Sequence, residues 1–445
     1  MSIGERPWQG RRLHFVGVGG AGMSGYARVA HALGSEISGS DRACTPYLER
    51  LEADGVLQAS VGHAVENLPL GEGVELVYSS AVPAENVERR AARLRRIPER
   101  SRAELLAELT TMRRTIGVAG THGKTTTASM LVHALRAASL EPGWLVGASI
   151  GAGLANADWG RGEWLVVEAD ESDRSMLSLS IEIAVLTNVE LEHHSTFGSL
   201  AELRNAFREF LTEPRRAVIW DRPDLLELRA GTADPYDVHA LTLTAGGSCF
   251  AWHERRVCLA VPGMHNALNA AGALEAAWIA GAQSERAIEG VEQFKGAERR
   301  FQRVGESERG AVVYDDYAHH PTEVAATLDA ARTLEHQRLV AILQPHLFSR
   351  TASLAREFGM AMAHADVMVV LDVYPARERA EDHPGVSGLT IAEAAADAAE
   401  GRPVYWLPTF ADAEPVLRGL LGDGDLCLVM GAGDVDALGR RLVLR

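Results

Sequence analysis

Short apolar runs and longer segments of helical periodicity alternate along most of this chain. The apolar runs have the length and flanking turns of buried strands, while the segments between them repeat apolar residues at helical spacing. The pattern predicts strands over residues 13–18, 36–41, 76–82, 116–119, 164–167, 183–186, 311–314, 339–343, 367–374 and 426–430. It predicts helices over 23–33 and 126–138, an alanine-rich helix after residue 264, and a basic helix over 89–102 interrupted by Pro98.

Strands that alternate with helices indicate an α/β fold with parallel sheets. A chain of 445 residues is too long for one hydrophobic core, so two or three domains are expected. The motif spacing fits three domains best, over residues 1–110, 111–302 and 303–445.

The first predicted strand runs into a glycine loop, GVGGAG at residues 17–22. A helix follows, and Asp41 lies about twenty positions further on, as in dinucleotide-type folds. The loop is therefore predicted to bind a diphosphate, with Ser79 and Ser80 at a later strand end near the same crevice. A turn that only packs the helix against the strand is the alternative.

A second glycine loop, GTHGKTTT at residues 120–127, joins the strand at 116–119 to a helix. The first turn of a helix presents unpaired N–H groups and the positive end of the helix dipole, so it attracts phosphate. Lys124 would meet the β- and γ-phosphates and Thr125 would offer its hydroxyl to Mg²⁺. The usual P-loop pattern has glycine where this chain has Val118, so the loop is a shortened variant.

Acidic and imidazole side chains follow two later strands. EADESD occupies residues 168–173, and TNVELEHH occupies residues 187–194. In open parallel sheets ligands gather at the carboxyl ends of strands, so these residues indicate a site for a magnesium nucleotide. A solvated acidic turn is the alternative at each strand end.

Further polar motifs open or close predicted elements in the second half of the chain. Asn266 and Asn269 lie near the start of the alanine-rich helix, where asparagine is more often a cap than a ligand-binding residue. DDYAHHPTE at 315–323, QPH at 344–346 and GAGD at 431–434 each follow a predicted strand.

The amino-acid composition and net charge argue against some classes of partner. The chain is 47% hydrophobic and 23% charged, which is ordinary for a folded protein, and its net charge of −16 disfavours nucleic acid and anionic membranes as partners. Cys44, Cys249, Cys258 and Cys427 are scattered and are predicted to be reduced and structural. No signal peptide or membrane span is apparent, so a cytoplasmic location is expected.

Nine motifs in order resemble the Mur ligase family over essentially the whole chain. They are GVGGAGMSG, GTHGKTTT, VEADESD, TNVE followed by EHH, PGMHNALNA, ERRFQ, DDYAHHPTE, QPH with Arg350, and GAGDV. The resemblance implies a Rossmann-like UDP-binding domain, a central P-loop-type ATPase domain and a C-terminal Rossmann-like α/β domain. It also implies that L-alanine is joined to UDP-N-acetylmuramate through an acyl phosphate, with ATP split to ADP and phosphate, in peptidoglycan precursor synthesis.

The resemblance further implies a role for each matching residue. Lys124, Glu168, His193 and Arg300 would be catalytic, and Thr125, Glu168 and His193 would hold Mg²⁺ or Mn²⁺. ATP would be bound by Gly120, Thr121, His122, Gly123, Lys124, Thr125, Thr126, Asn266, Asn269, Arg300 and Asp316. The UDP-sugar would meet Gly17, Gly19, Gly20, Gly22, Met23, Ser24, Ser40, Asp41, Ser79 and Ser80. The amino acid would reach Tyr317, His319, His320, His346 and Arg350.

The chain departs from the family pattern at residues 192–195, where Glu-His-His-Ser replaces Asp-His-Met-Asp. Three other functions compete with the alanine ligase. A sister ligase would attach a tripeptide to the same sugar nucleotide, a nicotinamide-dependent oxidoreductase would use the first glycine loop, and a nucleotide switch would need only the second. A monomer or a homodimer is expected.

Overall fold

The computed structural model describes residues 6–79, 81–193 and 196–443. Its strands are β1 (Arg12–Val16), β2 (Glu36–Asp41), β3 (Ser60–Val61), β4 (Val74–Tyr78), β5 (Glu99–Ser101), β6 (Arg114–Ala119), β7 (Gly143–Leu145), β8 (Ala157–Asp158), β9 (Trp164–Glu168), β10 (Ile183–Leu186), β11 (Arg216–Trp220), β12 (Asp234–Tyr236), β13 (His239–Thr244), β14 (Gly247–Trp252), β15 (Arg255–Leu259), β16 (Gln302–Glu306), β17 (Val312–Asp316), β18 (Arg338–Leu343), β19 (Val367–Val370), β20 (Val404–Trp406) and β21 (Asp425–Met430).

The α-helices alternate with these strands through most of the chain. They are α1 (Ala21–Ala32), α2 (Pro46–Ala53), α3 (Val87–Leu94), α4 (Arg102–Thr111), α5 (Lys124–Ala137), α6 (Leu200–Phe210), α7 (Pro223–Leu226), α8 (Met264–Ile279), α9 (Ser284–Glu292), α10 (Pro321–Ala331), α11 (Phe348–Ser353), α12 (Ala355–Met362), α13 (Gly388–Ala398), α14 (Phe410–Leu420) and α15 (Asp436–Val443). Contacts group the chain into two compact units. Unit 1 comprises residues 1–237 and 269–291, and unit 2 comprises residues 238–268 and 292–445.

Unit 1 contains two sheets. The first has the strand order β3-β2-β1-β4-β5 and all its pairs are parallel. This order is that of a Rossmann-like half, in which the chain reverses direction across the sheet between β1 and β4. The first glycine loop leaves β1 at this switch point, which is where such sheets bind ligands.

The second sheet of unit 1 has the order β12-β11-β10-β6-β9-β7-β8. All its pairs are parallel except β7 with β8. Because β9 and β10 flank β6, the segments that leave the carboxyl ends of these three strands meet at one edge. The Lys124 loop and both acidic motifs follow these strands, so the topology places them together.

Unit 2 also contains two sheets. An antiparallel sheet has the order β13-β14-β15, and a six-stranded sheet has the order β16-β17-β21-β18-β19-β20. In the larger sheet only β16 pairs antiparallel, and buried clusters cover both of its faces. Parallel strands that carry apolar side chains on both faces are typical of a covered α/β sheet.

Several predicted elements have different bounds in the structure. The strand predicted over 76–82 ends at Tyr78, because the chain turns there and the amide of Val82 donates to the carbonyl of Ser79 at 2.9 Å. The strand predicted over 367–374 ends at Val370. The basic segment 89–102 is not one helix: α3 ends at Leu94, and residues 99–101 form strand β5 after Pro98.

The prediction that all four cysteines are reduced is wrong for two of them. Cys249 and Cys258 form a disulfide, and they are register partners on the adjacent antiparallel strands β14 and β15. Their Cα atoms are 4.1 Å apart, because directly opposed residues of a hairpin come this close. Sequence spacing did not reveal the pair because the hairpin itself was not predicted. Cys44 and Cys427 are free thiols, exposed and buried respectively.

Among the helices of the described part of the chain, none has the length and apolar content needed to cross a membrane.

Candidate active site

The Lys124 loop is anchored to the segment that follows β10. The amide of His122 donates to Asn188 Oδ1 at 2.9 Å, and Asn188 Nδ2 donates back to the carbonyl of His122 at 3.0 Å. Thr121 forms a second reciprocal pair, since its hydroxyl donates to the carbonyl of Glu190 at 3.0 Å and accepts from the Glu190 amide at 2.9 Å. These bonds fix the loop from outside and leave the first-turn amides of α5 available to an anion.

Gly123 precedes α5 with φ at +83°, a conformation that side-chain-bearing residues rarely adopt. A Cβ at this position would lie 2.5 Å from Asn269 Oδ1, so the loop also needs glycine for space. Asn269 lies within α8 and is 8% exposed. The structure therefore brings Asn269 against the phosphate loop.

Lys124 is held by four acceptor atoms in unit 1. Its Nζ lies 2.9 and 3.0 Å from the two carboxylate oxygens of Glu171, 2.5 Å from the carbonyl of Gly120 and 3.1 Å from that of Thr121. Burial lowers the pKa of Lys124, but the charges of Glu171 and Asp170 outweigh it, and the pKa is raised above its ordinary value. Lys124 thus stays an ammonium ion at the start of α5.

Glu171 also contacts the predicted metal ligand His193. Its Oε1 lies 3.1 Å from His193 Nε2, and its side chain is completely buried. His193 adopts φ of +55°, which is uncommon for a residue with a side chain and marks a conformation held by its surroundings. One buried carboxylate therefore positions the lysine of the phosphate loop and the histidine after β10.

Glu168 ends β9 at the same edge of the sheet, and its Oε1 accepts the amide of Gly147 at 2.7 Å. Thr125 lies in the first turn of α5 and is 7% exposed. With His193, these residues offer a hydroxyl, a carboxylate and an imidazole. Mg²⁺ favours oxygen donors and Mn²⁺ accepts imidazole as well, so these residue types are ones that the predicted metal accepts.

Asn266 differs from Asn269 in its surroundings. Asn266 Nδ2 donates to the carbonyl of Pro262 at 2.6 Å, four residues earlier. Because α8 begins at Met264, neither asparagine occupies the cap position, and the capping alternative is wrong for both. Asn266 belongs to unit 2 and Asn269 to unit 1.

The first glycine loop is tied to the end of β2. The amides of Gly17 and Val18 donate to the carbonyl of Ser40 at 2.8 and 3.1 Å, and the amide of Gly19 donates to Asp41 Oδ2 at 2.8 Å. Thr45 donates its hydroxyl to the carbonyl of Gly19 at 2.7 Å. Asp41 therefore supports the loop directly, in addition to its predicted role at the UDP-sugar.

Three predicted UDP-sugar residues are buried. Met23 packs in the core of unit 1, Ser24 donates to the carbonyl of Ala21 at 2.9 Å, and Ser40 donates to Glu88 Oε2 at 2.7 Å. Their side chains thus support the elements around the loop. Ser79 lies just after β4, where its hydroxyl accepts the amide of Ala81 at 3.3 Å, and Ser80 lies outside the described residues.

In unit 2, Arg300 lies between two residues of positive φ, Arg299 at +57° and Phe301 at +50°. The guanidinium of Arg300 lies 5.1 Å from the ring centre of Tyr317. Asp316 accepts the amides of Phe301 and Ala318, each at 2.7 Å, and burial raises its pKa despite the charge of Arg300. The ERRFQ turn is therefore bound to the end of β17.

The predicted amino-acid residues form one cluster in unit 2, with one exception. The ring centres of His319 and His346 are 5.9 Å apart, and Arg350 Nη1 lies 3.2 Å from His346 Nδ1. His319 is oriented by the carbonyl of Tyr317 at 2.9 Å. The exception is His320, which accepts the amide of Thr322 at 3.4 Å and caps α10.

Comparison with known proteins bears on this arrangement. Three family models match the chain in order: the Mur ligase family catalytic domain over residues 12–114, the Mur ligase middle domain over 118–277, and the Mur ligase glutamate ligase domain over 299–433. A curated relative from Mycolicibacterium smegmatis, UDP-N-acetylmuramate–L-alanine ligase, is 40% identical, and the alignment covers 97% of this chain and 94% of that protein. The chain belongs to the Mur ligase family.

Solved structures give the same fold for this Mur ligase. The crystal structure of the UDP-N-acetylmuramate–alanine ligase of Thermotoga maritima superposes with a TM-score of 0.83 at 26% identity, covering 97% of this chain and 98% of that one. A murein peptide ligase from Psychrobacter arcticus superposes with a TM-score of 0.71 over 97% and 98% of the two chains. Its identity is 22%, so it bears on the fold alone. The predicted three-domain α/β architecture is confirmed.

Two residues of this Mur ligase lie within the sequence motifs, but only the folded structure shows what they contact. Glu171 lies in the EADESD motif, and its position three residues after Glu168 did not reveal which carboxylate turns to Lys124. Glu323 ends the DDYAHHPTE motif, and its Oε2 accepts the amide of His319 at 3.0 Å. Their motifs were visible in the sequence, but their partners depend on the folded backbone.

Proposed function

We propose that this Mur ligase joins L-alanine to UDP-N-acetylmuramate and splits ATP to ADP and phosphate. The observation that carries the proposal is the 40% identity, over nearly the full length, to a relative named for this reaction. The two glycine loops of unit 1 support it, because the reaction needs one site for ATP and another for a nucleotide sugar. A cytoplasmic location is part of the proposal.

The Lys124 loop is the proposed ATP-phosphate site. Three features create an anion site at the start of α5. Gly123 adopts a left-handed conformation, Asn188 anchors the loop through the His122 amide, and Lys124 supplies a positive charge. Mg²⁺, held by Thr125, Glu168 and His193, would neutralise charge on the transferring phosphoryl group. Asn269 would approach the nucleotide from α8, and the nucleotide-binding roles of Arg300 and Asp316 stay predictions.

The proposed reaction has two steps. A carboxylate oxygen of the sugar nucleotide attacks the γ-phosphorus of ATP, the bond to the bridging oxygen breaks, and ADP leaves. The amine of L-alanine, after losing a proton, then attacks the carbonyl carbon of the acyl phosphate and phosphate leaves. Activation is needed because a carboxylate is a poor electrophile. The enzyme contributes mainly by positioning the reactants and stabilising their charges.

The cluster of unit 2 is the proposed amino-acid site. Arg350 is 5% exposed and fixed against His346, so it presents a preorganised cation for the carboxylate of alanine. Tyr317 and His319 form an aromatic wall beside it, with ring centres 5.2 Å apart.

An amino-acid panel tests the reaction. The protein is incubated with UDP-N-acetylmuramate, ATP and Mg²⁺ together with L-alanine, glycine, L-serine or the tripeptide, and ADP and product mass are measured. We expect ADP and the alanyl product with L-alanine. Phosphate release only with the tripeptide would assign the chain to the recycling ligase instead.

Lys124→Ala tests the role of the phosphate loop in the same assay. Its matched control is Lys295→Ala, because Lys295 is the other lysine of the chain and is exposed. We expect the first variant to lose activity and the second to keep it. Full activity in Lys124→Ala would overturn the proposed mechanism.

A further inference from the structure

A cleft in unit 1 lies between the first glycine loop and the carboxyl end of β9. It encloses about 570 Å³, part of it open to solvent. Gly22, from the first glycine loop, lines one side. Gly147, Glu168 and Asp170 line another side, at the carboxyl end of β9. The cleft therefore reaches from the UDP-sugar loop to a predicted metal ligand of the ATP site.

Arg102 is the one cation among the described residues that line this cleft. It is the first residue of α4 and follows the capping box formed by Ser101 and Glu104, which fixes the start of the helix. Its Nη1 lies 3.7 Å from where a Cβ of Gly22 would be. Its Nη2 lies 3.1 Å from Asp170 Oδ2, so the guanidinium spans the cleft.

The surroundings of Arg102 set the chemistry that it can recognise. Asp173 Oδ2 lies 3.7 Å from Nη2, and the buried Tyr26 forms an uncharged wall beside the guanidinium. The carboxylates keep Arg102 charged and hold its planar fork in place, although its side chain is 29% exposed. A guanidinium held in this way matches a carboxylate through two parallel hydrogen bonds.

We propose that Arg102 binds the lactyl carboxylate of the sugar nucleotide and presents it to the phosphate loop. This inference rests on the proposed function. The lactyl carboxylate is the group that must reach the γ-phosphate of ATP. The cleft suits this task because it is lined both by Gly22 of the first glycine loop and by Glu168. The diphosphate is assigned to the start of α1, because the amides of Gly17, Val18 and Gly19 already donate to Ser40 and Asp41.

Calorimetric titration with three ligands, in the absence of ATP, distinguishes the contribution of the carboxylate to binding affinity from that of the diphosphate. UDP carries the diphosphate alone, UDP-N-acetylglucosamine adds the sugar, and UDP-N-acetylmuramate adds the lactyl carboxylate. For Arg102→Gln we expect at least a tenfold loss of affinity for UDP-N-acetylmuramate. Affinity for the two ligands without the carboxylate should change less than twofold.

Two further variants keep the test independent of folding. Arg102→Lys keeps the charge without the fork and should recover part of the affinity for UDP-N-acetylmuramate. Arg11→Gln is the structural control, because Arg11 also pairs with two carboxylates in unit 1, Glu75 and Glu108, outside the cleft. It should leave the affinity for all three ligands unchanged. In turnover, Arg102→Lys should raise KM for UDP-N-acetylmuramate and leave KM for ATP unaltered.

An equal loss of affinity for all three ligands in Arg102→Gln would assign Arg102 to the diphosphate and overturn the inference. No loss in either Arg102 variant would also overturn it. Both results would leave the proposed function standing, provided that wild-type protein makes the alanyl product. Wild-type protein that binds no UDP-N-acetylmuramate would overturn the function and the inference together.

Discussion

Lys124 is one of two lysines in a chain that carries 42 arginines. Its ammonium group is surrounded by the carbonyls of Gly120 and Thr121 and by the carboxylate of Glu171. A compact group with three freely oriented N–H bonds fits these converging acceptors, whereas the planar fork of arginine does not. The chemistry at the start of α5 therefore explains why this position carries lysine in an arginine-rich protein.

Glu171→Gln should lower kcat by about 10- to 100-fold. The substitution keeps the shape of the side chain but removes the charge that Lys124 and His193 share, and a hydrogen bond to a charged group contributes about 1.5–3 kcal/mol. Steady-state ADP formation measures kcat, and the KM for UDP-N-acetylmuramate should stay within about twofold, because Glu171 does not line the cleft beside Arg102.

The matched control for Glu171 is Glu182→Gln. Glu182 also pairs with a cation, Arg114, but it lies at the start of β10, away from the phosphate loop. It should keep the wild-type kcat. An equal fall of kcat in both variants, accompanied by an equal fall in melting temperature, would show that Glu171 only stabilises the fold.

The way in which helix α5 begins also suits it to bind a ligand. It begins without a side-chain cap, since Gly123 precedes it with left-handed φ, and its first-turn amides therefore have no capping partner of the usual kind. A helix that begins in this way is suited to an anion. The same feature makes the position intolerant of substitution.

Gly123→Ala should raise KM for ATP at least about tenfold. The left-handed backbone costs about 1–2 kcal/mol for a residue with a Cβ, and the added atom would lie 2.5 Å from Asn269 Oδ1. The loop or α8 must therefore shift. Gly55→Ala is the control, because Gly55 has φ of +69° and its Cβ would have no neighbour within 4 Å. Equal ATP affinity in both variants would contradict the assignment.

At the element scale, hydrophobic patterning predicted the central strands well. β2 and β10 have the predicted bounds, and β10 is a continuous buried apolar run. The pattern missed the hairpin β14–β15, where polar residues such as Arg255 and Arg256 lie on exposed positions, and it therefore missed the disulfide. The pattern also predicted one helix where the structure has α3 followed by β5. The charges and helical spacing of this segment did not show that its last residues pair with β4.

At the scale of the whole molecule, stability depends on a buried charge far from the phosphate loop. Glu88 is completely buried and accepts hydrogen bonds from Ser40, Asn67 and the amide of Ala64, with His14 Nε2 at 2.9 Å. Burial raises the pKa of Glu88, but the bonds from His14, Asn67 and Ser40 outweigh it and hold the pKa at about 2. This network joins β1, β2 and α3.

Stability should therefore fall as the pH drops from about 4.5 towards 2. Unfolded Glu88 has the ordinary pKa of 4.5, so in this window the unfolded state binds more protons than the folded state. The contribution of Glu88 is present above pH 4.5, and about 1.4 kcal/mol of it is lost by pH 3.5. Urea unfolding at pH 6 and pH 3.5 measures the loss.

Glu88→Gln should be less stable than wild-type protein at pH 6, and the difference should narrow at pH 3.5. The variant keeps a side chain of similar volume but removes the titrating group from the network. A difference in unfolding free energy that stays constant between these pH values would contradict the lowered pKa of Glu88.

The candidate site was predictable as a set of motifs, and much less so as a set of contacts. The order of the motifs identified the Lys124 loop and both acidic strand ends, because each motif is a continuous string. Glu171, Asn188 and Arg102 acquire their partners from strands that become neighbours only in the folded sheet. Ser40 was expected at the ligand, yet its hydroxyl is directed to Glu88, since alternation along β2 turns it inward.

Several residues that hold the Lys124 loop in place are synthesised well after the loop itself. Thr121 and Glu190 lie 69 positions apart, a stretch that takes about 3–14 s to synthesise. Asn269 emerges later still. A nascent chain that has just released Lys124 from the exit tunnel therefore carries the phosphate motif without its anchors, and nucleotide capture must await most of translation.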